Sequence, residues 1–470
     1  MNSTSSNKIA AGGIDEAIDA LHQATAYYTA EPIVDELLAE LGWPAFDKRL
    51  VDPSCGDGAF LARAVDALLQ AAPAVDDVKL TQLVHGWEIH AEAADAARTR
   101  LTEVLRAAGR SDRAAAATGR MMVTTGDFLT DAPLTPTWSI CAGNPPFLRY
   151  AHLHPLLQQR YLAALPDYSR ADMLHGFLDR CAKVLLPGGA IGIVASDRWL
   201  FNSNAARLRE VLGETLGIAG LRRIDGASAF YRAKTRRAGT LPRVHPVALV
   251  LRARELCPQP LQALGRAPLY PGASSCAGTG RTLEDVATVR LAPWLGSKGV
   301  FVVDQATAAT LPAEHLVPAL DTDDILHAQD GTRYVREPTR RAIRTFRAVE
   351  PTGAVLDHLK ANLHRMAKRG HRAAKFWVPP ETFERFDLDV PHLLIPRIAR
   401  DLQSARVPAG ILPVNHNISI VSINGEAGLD EIEERLRDPR SVQWVRERAP
   451  ALENGYFSVT TTLLRQLPLF

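Results

Sequence analysis

Between about residues 25 and 253, seven short apolar runs alternate with stretches of helical period. Few folds tolerate that pattern. A strand that is apolar at nearly every position must be covered on both faces, and a helix between strands supplies the cover while returning the chain for a parallel partner. The runs lie at 49–53, 82–89, 121–125, 138–142, 190–195, 221–225 and 247–251, with helices expected at 59–71, 90–107, 171–186 and 202–216. The expected fold is α/β, a Rossmann-like seven-stranded sheet with helices on both faces. After Arg254 the sequence Cys257-Pro258-Gln259-Pro260 opens a less regular, more basic region. The expected partition is therefore a flexible lead over 1–24, a catalytic α/β domain over 25–254 and an α+β domain over 255–470.

Composition narrows the class further. A chain of 470 residues allows two or three domains, and 46% apolar with 23% charged residues is ordinary for a folded protein. A net charge of +2 means that any affinity for nucleic acid must come from local patches. Five scattered cysteines form no C-x-x-C pair, which argues against structural zinc or a disulfide framework and fits a reducing cytoplasm. Residues 1–13 lack the apolar core of a signal peptide, and no run reaches the length of a membrane span.

The polar residues that carry chemistry fall at the ends of the expected strands. Asp52-Pro53-Ser54-Cys55-Gly56-Asp57-Gly58 closes the first run and opens a helix. Its glycines let the backbone turn tightly against a ligand, and its carboxylates suit a cationic ligand better than a pyrophosphate. Glu88, followed by Ile89, ends the second run, where an acid can accept both hydroxyls of a ribose. Asp127-Phe128 follows the third, offering an acceptor for an adenine amine and a ring beside the base. The fourth run leads into Asn144-Pro145-Pro146-Phe147. Two prolines make a stiff turn with outward carbonyls, Asn144 adds a side-chain acceptor and Phe147 a flat apolar face. Such a set suits an exocyclic amine on an aromatic ring. Each motif alone is matched by ordinary turns; four in register along one sheet edge are not.

In motif order the chain resembles the class I S-adenosylmethionine-dependent DNA methyltransferases that act on exocyclic amines, specifically the adenine-N6 (TaqI-like) group. The resemblance covers about residues 27–253. Tyr28-Thr29-Ala30-Glu31-Pro32 is similar to the N-terminal cofactor motif, with Thr29 the contacting residue. Residues 52–58 resemble the glycine motif, Glu88 the ribose acid, Asp127-Phe128 the adenine pair and 144–147 the catalytic motif. Arg170-Ala171-Asp172-Met173 and 185–189 resemble the segments that follow it, and Phe230 the second aromatic at the target base. The glycine motif comes first and a long remainder last, as in the gamma arrangement. The catalytic aromatic is Phe where Tyr is commoner, and Cys55 is unusual in its motif.

The resemblance implies S-adenosylmethionine as cofactor, no metal, and methyl transfer to an adenine flipped from double-stranded DNA. It also implies a cytoplasmic, nucleoid-associated monomer, the modification component of a restriction or defence system with a separately encoded endonuclease. DNA contacts are expected from Arg232, Lys234, Arg236 and Arg237 beside Phe230-Tyr231. A second set is Arg340, Arg341, Lys368 and Arg369 within a longer basic run that ends at Phe376-Trp377. Cytosine-N4 DNA methylation, RNA adenine methylation and protein glutamine methylation use the same fold, though the basic second half disfavours the last. A DNA-binding specificity subunit with a vestigial catalytic domain is the rival from another class. A fused nuclease is disfavoured because no E-x-K occurs and the single D-x-K, Asp77 to Lys79, lies inside the sheet region.

Overall fold

The structure is a computed structural model that describes residues 5–232, 245–256, 263–270, 280–329, 332–366, 375–384, 386–449, 452 and 455–470, with backbone alone at 5–12, 227 and 232. The chain divides into two compact units, Met1–Pro271 and Gly272–Phe470. The first unit extends past the expected boundary near 254 because Leu264 and Leu269 are buried in its core.

The first unit is built on a seven-stranded sheet: β1 (Leu50–Asp52), β2 (Val84–Glu88), β3 (Val123–Thr125), β4 (Trp138–Gly143), β5 (Leu185–Ser196), β6 (Leu216–Arg223) and β7 (Pro246–Ala253). Their order across the sheet is β3-β2-β1-β4-β5-β7-β6, parallel except for β7, which runs against both neighbours. Alternate residues enter two cores: Val51, Cys141, Ile191, Leu249 and Leu251 on one face, Leu50, Ile140, Ala190, Ala248 and Val250 on the other. That period of two on a sheet covered on both sides explains the unbroken apolar runs. The chain steps from β1 outward through β2 to β3, then returns to β4 on the other side of β1. This reversal opens a crevice at the carboxyl ends, the place where open α/β sheets bind ligands.

Several boundaries differ from expectation. Residues 82–83 and 121 belong to the helices Asp77–Leu83 and Asp112–Met121, each capped at its start by Asp76 or Ser111. The sixth strand begins at Leu216, five residues early, because the helix before it is only Ala206–Gly213. The expected flexible lead is a helix, Ser5–Thr25. Its Ala17 and Leu21 are buried, and Ile14 packs against the same core. The spacing 14, 17, 21 is an apolar stripe that the Ser- and Gly-rich opening disguised.

The second unit is α+β. One four-stranded antiparallel sheet comprises Ala287–Leu291, Ile418–Ser422, His392–Ile395 and Ala405–Val407. Another comprises Val302–Asp304, Arg340–Ile343, Leu316–Leu320 and Leu412–Pro413, and helices Gly353–Ala361, Ala427–Arg437 and Pro439–Arg448 complete the unit. No described helix is long and apolar enough to cross a membrane.

Candidate active site

A cavity of about 790 Å3 opens at the carboxyl edge of the first unit's sheet. Its lining gathers Thr29, Asp52, Pro53, Ser54, Cys55, Gly56, Glu88, Ile89, Asp127, Phe128, Asn144 and Pro146, residues expected there from four successive strand ends and the N-terminal motif. Pro145 and Phe147 line a small neighbouring cavity together with Asn144 and Tyr27. The Phe147 and Phe230 rings stand 6.3 Å apart, centre to centre, inclined by 57°. Gly58 lies outside the cavity. It starts the helix Ala59–Ala71 at φ +81°, and a Cβ there would sit 3.0 Å from Ala97 Cα, so its task is close packing.

Glu88 organises the floor. Its two carboxylate oxygens accept the backbone N–H of Gly56 and of His90, each at 2.9 Å, which ties the glycine loop to β2. Gly56 has φ +55°, and a Cβ would lie 2.4 Å from the Tyr28 ring, so only glycine lets the loop pass. Asp52 accepts the Ser54 N–H at 3.0 Å, and Asp127 accepts the Leu129 N–H at 3.0 Å. Both local bonds aim a strand-end carboxylate across the edge.

A two-stranded ribbon closes one side. Tyr27–Thr29 pairs antiparallel with Phe230–Arg232, so that Thr29 sits opposite Phe230. Tyr231 donates its hydroxyl to Asp57 Oδ2 at 2.8 Å. Arg100 reaches both groups at 3.0 Å and Glu31 at 2.6 Å, anchoring the ribbon to the glycine loop. The ribbon also fixes Asn144, whose amide nitrogen donates to the Tyr27 carbonyl at 3.0 Å. A carbonyl can only accept, so the Asn144 side-chain oxygen must face the other way. That oxygen is buried and has no hydrogen-bond partner among the described residues, as are Thr29 Oγ1 and Ser54 Oγ.

The electrostatics favour a cation. Burial pushes the Asp52 carboxyl up to about 8, with Glu88 and Asp57 adding to the rise and the Ser54 N–H opposing it. Burial likewise raises Glu88 against the pull of the His90 and Gly56 N–H groups, and raises Asp57 against the Arg100 guanidinium. Several desolvated carboxylates in one cavity are costly to ionise together, and a bound positive group relieves that cost. Among the described residues no group of three or more His, Cys, Asp or Glu is placed to hold a metal ion.

The N-terminal helix adds lining residues that no motif indicated: Leu21, His22 and Thr25. His22 stacks on His90 with ring centres 3.8 Å apart. Tyr161, Met173 and Phe177 complete the apolar wall, and only Met173 had been singled out in a motif.

Four arginines of the second unit's basic run are engaged within that unit. Arg340 faces Asp324 at 3.2 Å and Asp321 at 3.6 Å, Arg336 binds Asp324 at 2.6 Å, and Arg333 binds Asp401 at 3.0 Å. Arg341 donates to the carbonyls of Pro338 and Arg340. Lys234, Arg236, Arg237, Lys368 and Arg369 lie outside the described residues, and Arg232 is described by its backbone alone.

Strand order, the single antiparallel strand and the position of the cavity define the first unit as a class I methyltransferase fold. Residues 17–220 match the family described as N-6 DNA Methylase. It is 30% identical over 204 residues to the type II methyltransferase M.XhoI of Xanthomonas vasicola, covering 41% of this chain and 37% of that protein. It is 32% identical over 201 residues to the type II methyltransferase M.PaeR7I of Pseudomonas aeruginosa, covering 40% and 34%. These matches span about a third of those relatives' length. The fold over 98% of the chain is shared with the type IIL restriction-modification enzyme MmeI, solved in complex with DNA, at a TM-score of 0.62, 14% identity and 66% coverage of that chain.

Proposed function

We propose that the chain is a site-specific adenine-N6 DNA methyltransferase that uses S-adenosylmethionine. The observation that carries this reading is the Asn144 amide: its nitrogen is committed to Tyr27, and its oxygen is buried, unpartnered and beside Phe147. A buried acceptor without a donor costs about 1–3 kcal/mol, a cost recovered when a ligand N–H fills it. An exocyclic amine on a stacked base supplies such a donor.

The cavity fits the cofactor on its own chemistry. Glu88 is placed for the ribose hydroxyls, Asp127 and Phe128 for the adenine, and Thr29, Ser54 and Asp52 for the charged amino-acid end. Thr29 Oγ1 and Ser54 Oγ are orphaned as Asn144 Oδ1 is. When bound, S-adenosylmethionine supplies an electrophilic methyl group on a sulfonium centre. The residues of this chain do the remainder. Asn144 Oδ1 and the Pro145 carbonyl accept the two amine hydrogens of adenine, which frees the nitrogen lone pair from the ring. Phe147 stacks on the base with Phe230 beside it, offsetting part of the unstacking cost. Orientation and preorganised acceptors then lower the barrier without a strong base.

The relatives are named as type II methyltransferases, and MmeI is named as a restriction-modification enzyme. They support a modification role on DNA; double-stranded substrate, a cytoplasmic setting and a separately encoded endonuclease complete the proposal. The second unit is assigned target recognition, in the gamma arrangement. Asn144→Ala is expected to lower methyl transfer to duplex DNA by about 10²–10³ while cofactor affinity, measured by calorimetry, stays near wild type. Near-normal turnover in that variant contradicts the mechanism.

A further inference from the structure

A second cavity, of about 1250 Å3, lies in the first unit on the far side of the Asn144–Phe147 turn. Phe147 lines it, so it touches the aromatic assigned to the target base without sharing any cofactor residue. The chain forms it where β4 and β5 end side by side: the segment after Phe147 brings Arg149, the helix Met173–Val184 brings His175, and the turn after β5 brings Arg198 and Trp199. Nothing in the reaction described so far uses it.

Its chemistry is that of an anion site. The side chains of Arg149 and Arg198 are exposed and make no ion pair or hydrogen bond among the described residues. Deeper in, Trp199 is 1% exposed with an unpartnered Nε1 and His175 is 3% exposed with an unpartnered Nδ1. An indole N–H can only donate, so whatever meets it must present an acceptor. Asp172 is the one carboxylate in the lining; burial raises its pKa, against the opposing pull of the Leu174 N–H and of Arg198 and Arg149. Behind the cavity wall Arg209 is 1% exposed and is held by the carbonyls of Trp199, Asn202, Gly265 and Arg266, with no carboxylate among its hydrogen-bond partners. Three guanidinium groups against two carboxylates, Asp172 in the lining and the buried Asp197 beside Arg198, leave the cavity net positive. Arg209 also fixes the turn that presents Arg198 and Trp199.

We infer that this cavity is a phosphodiester subsite that grips the target strand next to the extruded nucleotide. It rests on the DNA reading above. Extrusion turns the backbone at the target, and phosphates flanking the base must then run past Phe147. Arg149 and Arg198 meet them at the mouth, and the Trp199 indole N–H supplies an inner donor. A subsite of this kind stabilises only the flipped arrangement, because a phosphate of undistorted duplex does not enter a concave wall.

The test uses the full chain, the double variant Arg149→Gln/Arg198→Gln and a short duplex carrying the methylated site. A matched set of duplexes has one phosphate at a time replaced by an uncharged methylphosphonate. The variant should keep wild-type affinity for S-adenosylmethionine, which reports its folding. Its log–log salt slope for duplex binding should fall by about 2, as two lost phosphate contacts require. One or two neutral linkages beside the target adenosine should weaken wild-type binding about tenfold and leave the variant unaffected. A variant with the wild-type slope, or one equally sensitive to those linkages, overturns the subsite. If the wild-type chain methylates DNA and the variant matches it throughout, the subsite alone fails. If the wild-type chain binds no duplex at any salt concentration, the DNA reading fails with it.

Discussion

Asp52 concentrates the electrostatics of the cofactor site in one residue. In the ligand-free protein its carboxyl is held protonated up to about pH 8, whereas in the unfolded chain it ionises in the ordinary carboxylate range. The folded state therefore binds the extra proton between those limits. Asp52 contributes stability that is full below the ordinary range and is lost as pH rises through about 8. Ligand binding runs the other way, because the cationic amino-acid end of the cofactor needs the ionised form. Affinity for S-adenosylmethionine should rise roughly twentyfold between about pH 6.5 and 8.5 and then level off. Asp52→Asn should remove that slope and weaken binding; calorimetry across pH checks both, and an unchanged slope in the variant would exclude Asp52 as its source. Arg340 carries the opposite kind of commitment. It shares the fully buried Asp324 with Arg336. Arg340→Ala should cost about 1–3 kcal/mol of stability, read as a lower Tm, rather than act only on DNA affinity. A stable variant with a reduced salt slope would instead return Arg340 to the role its sequence context suggested.

At the level of elements, the sheet edge was the legible part. Parallel strands separated by helices all end on the same side, so Asp52, Glu88, Asp127 and Asn144 could be brought together by spacing alone. The ribbon was not legible. Thr29 and Phe230 are paired across a long stretch of chain, and three-residue strands carry no period to detect. The helix Ser5–Thr25 was hidden for another reason: its opening is polar and glycine-containing, and the described part of its apolar stripe is short, Ile14, Ala17 and Leu21. Sequence displays the sign of a charge in the basic run and not its partner; Asp324 and Asp401 reach Arg340, Arg336 and Arg333 only through the fold. Deleting residues through Thr25 removes Leu21, His22 and Thr25 from the cavity wall and leaves the sheet intact. Cofactor affinity should fall by about tenfold or more, since burying one leucine-sized group is worth about 1.5–3 kcal/mol. Unchanged affinity in a folded truncation would show the helix to be packing alone.

On the scale of the whole molecule, the first unit holds the cavity at the sheet edge, and the second holds a core of its own. Residues 17–220 match the N-6 DNA Methylase family, while the role of the second unit rests on its surface and not on its fold. The central claim is that Asn144 activates adenine N6 at one DNA sequence. Modification-sensitive sequencing of DNA from cells expressing the chain, beside cells expressing Asn144→Ala, tests it most directly. The account expects N6-methyladenine at a single recurring motif with the wild-type chain and its loss with the variant. N4-methylcytosine at the motif, or N6-methyladenine undiminished in the variant, would contradict it.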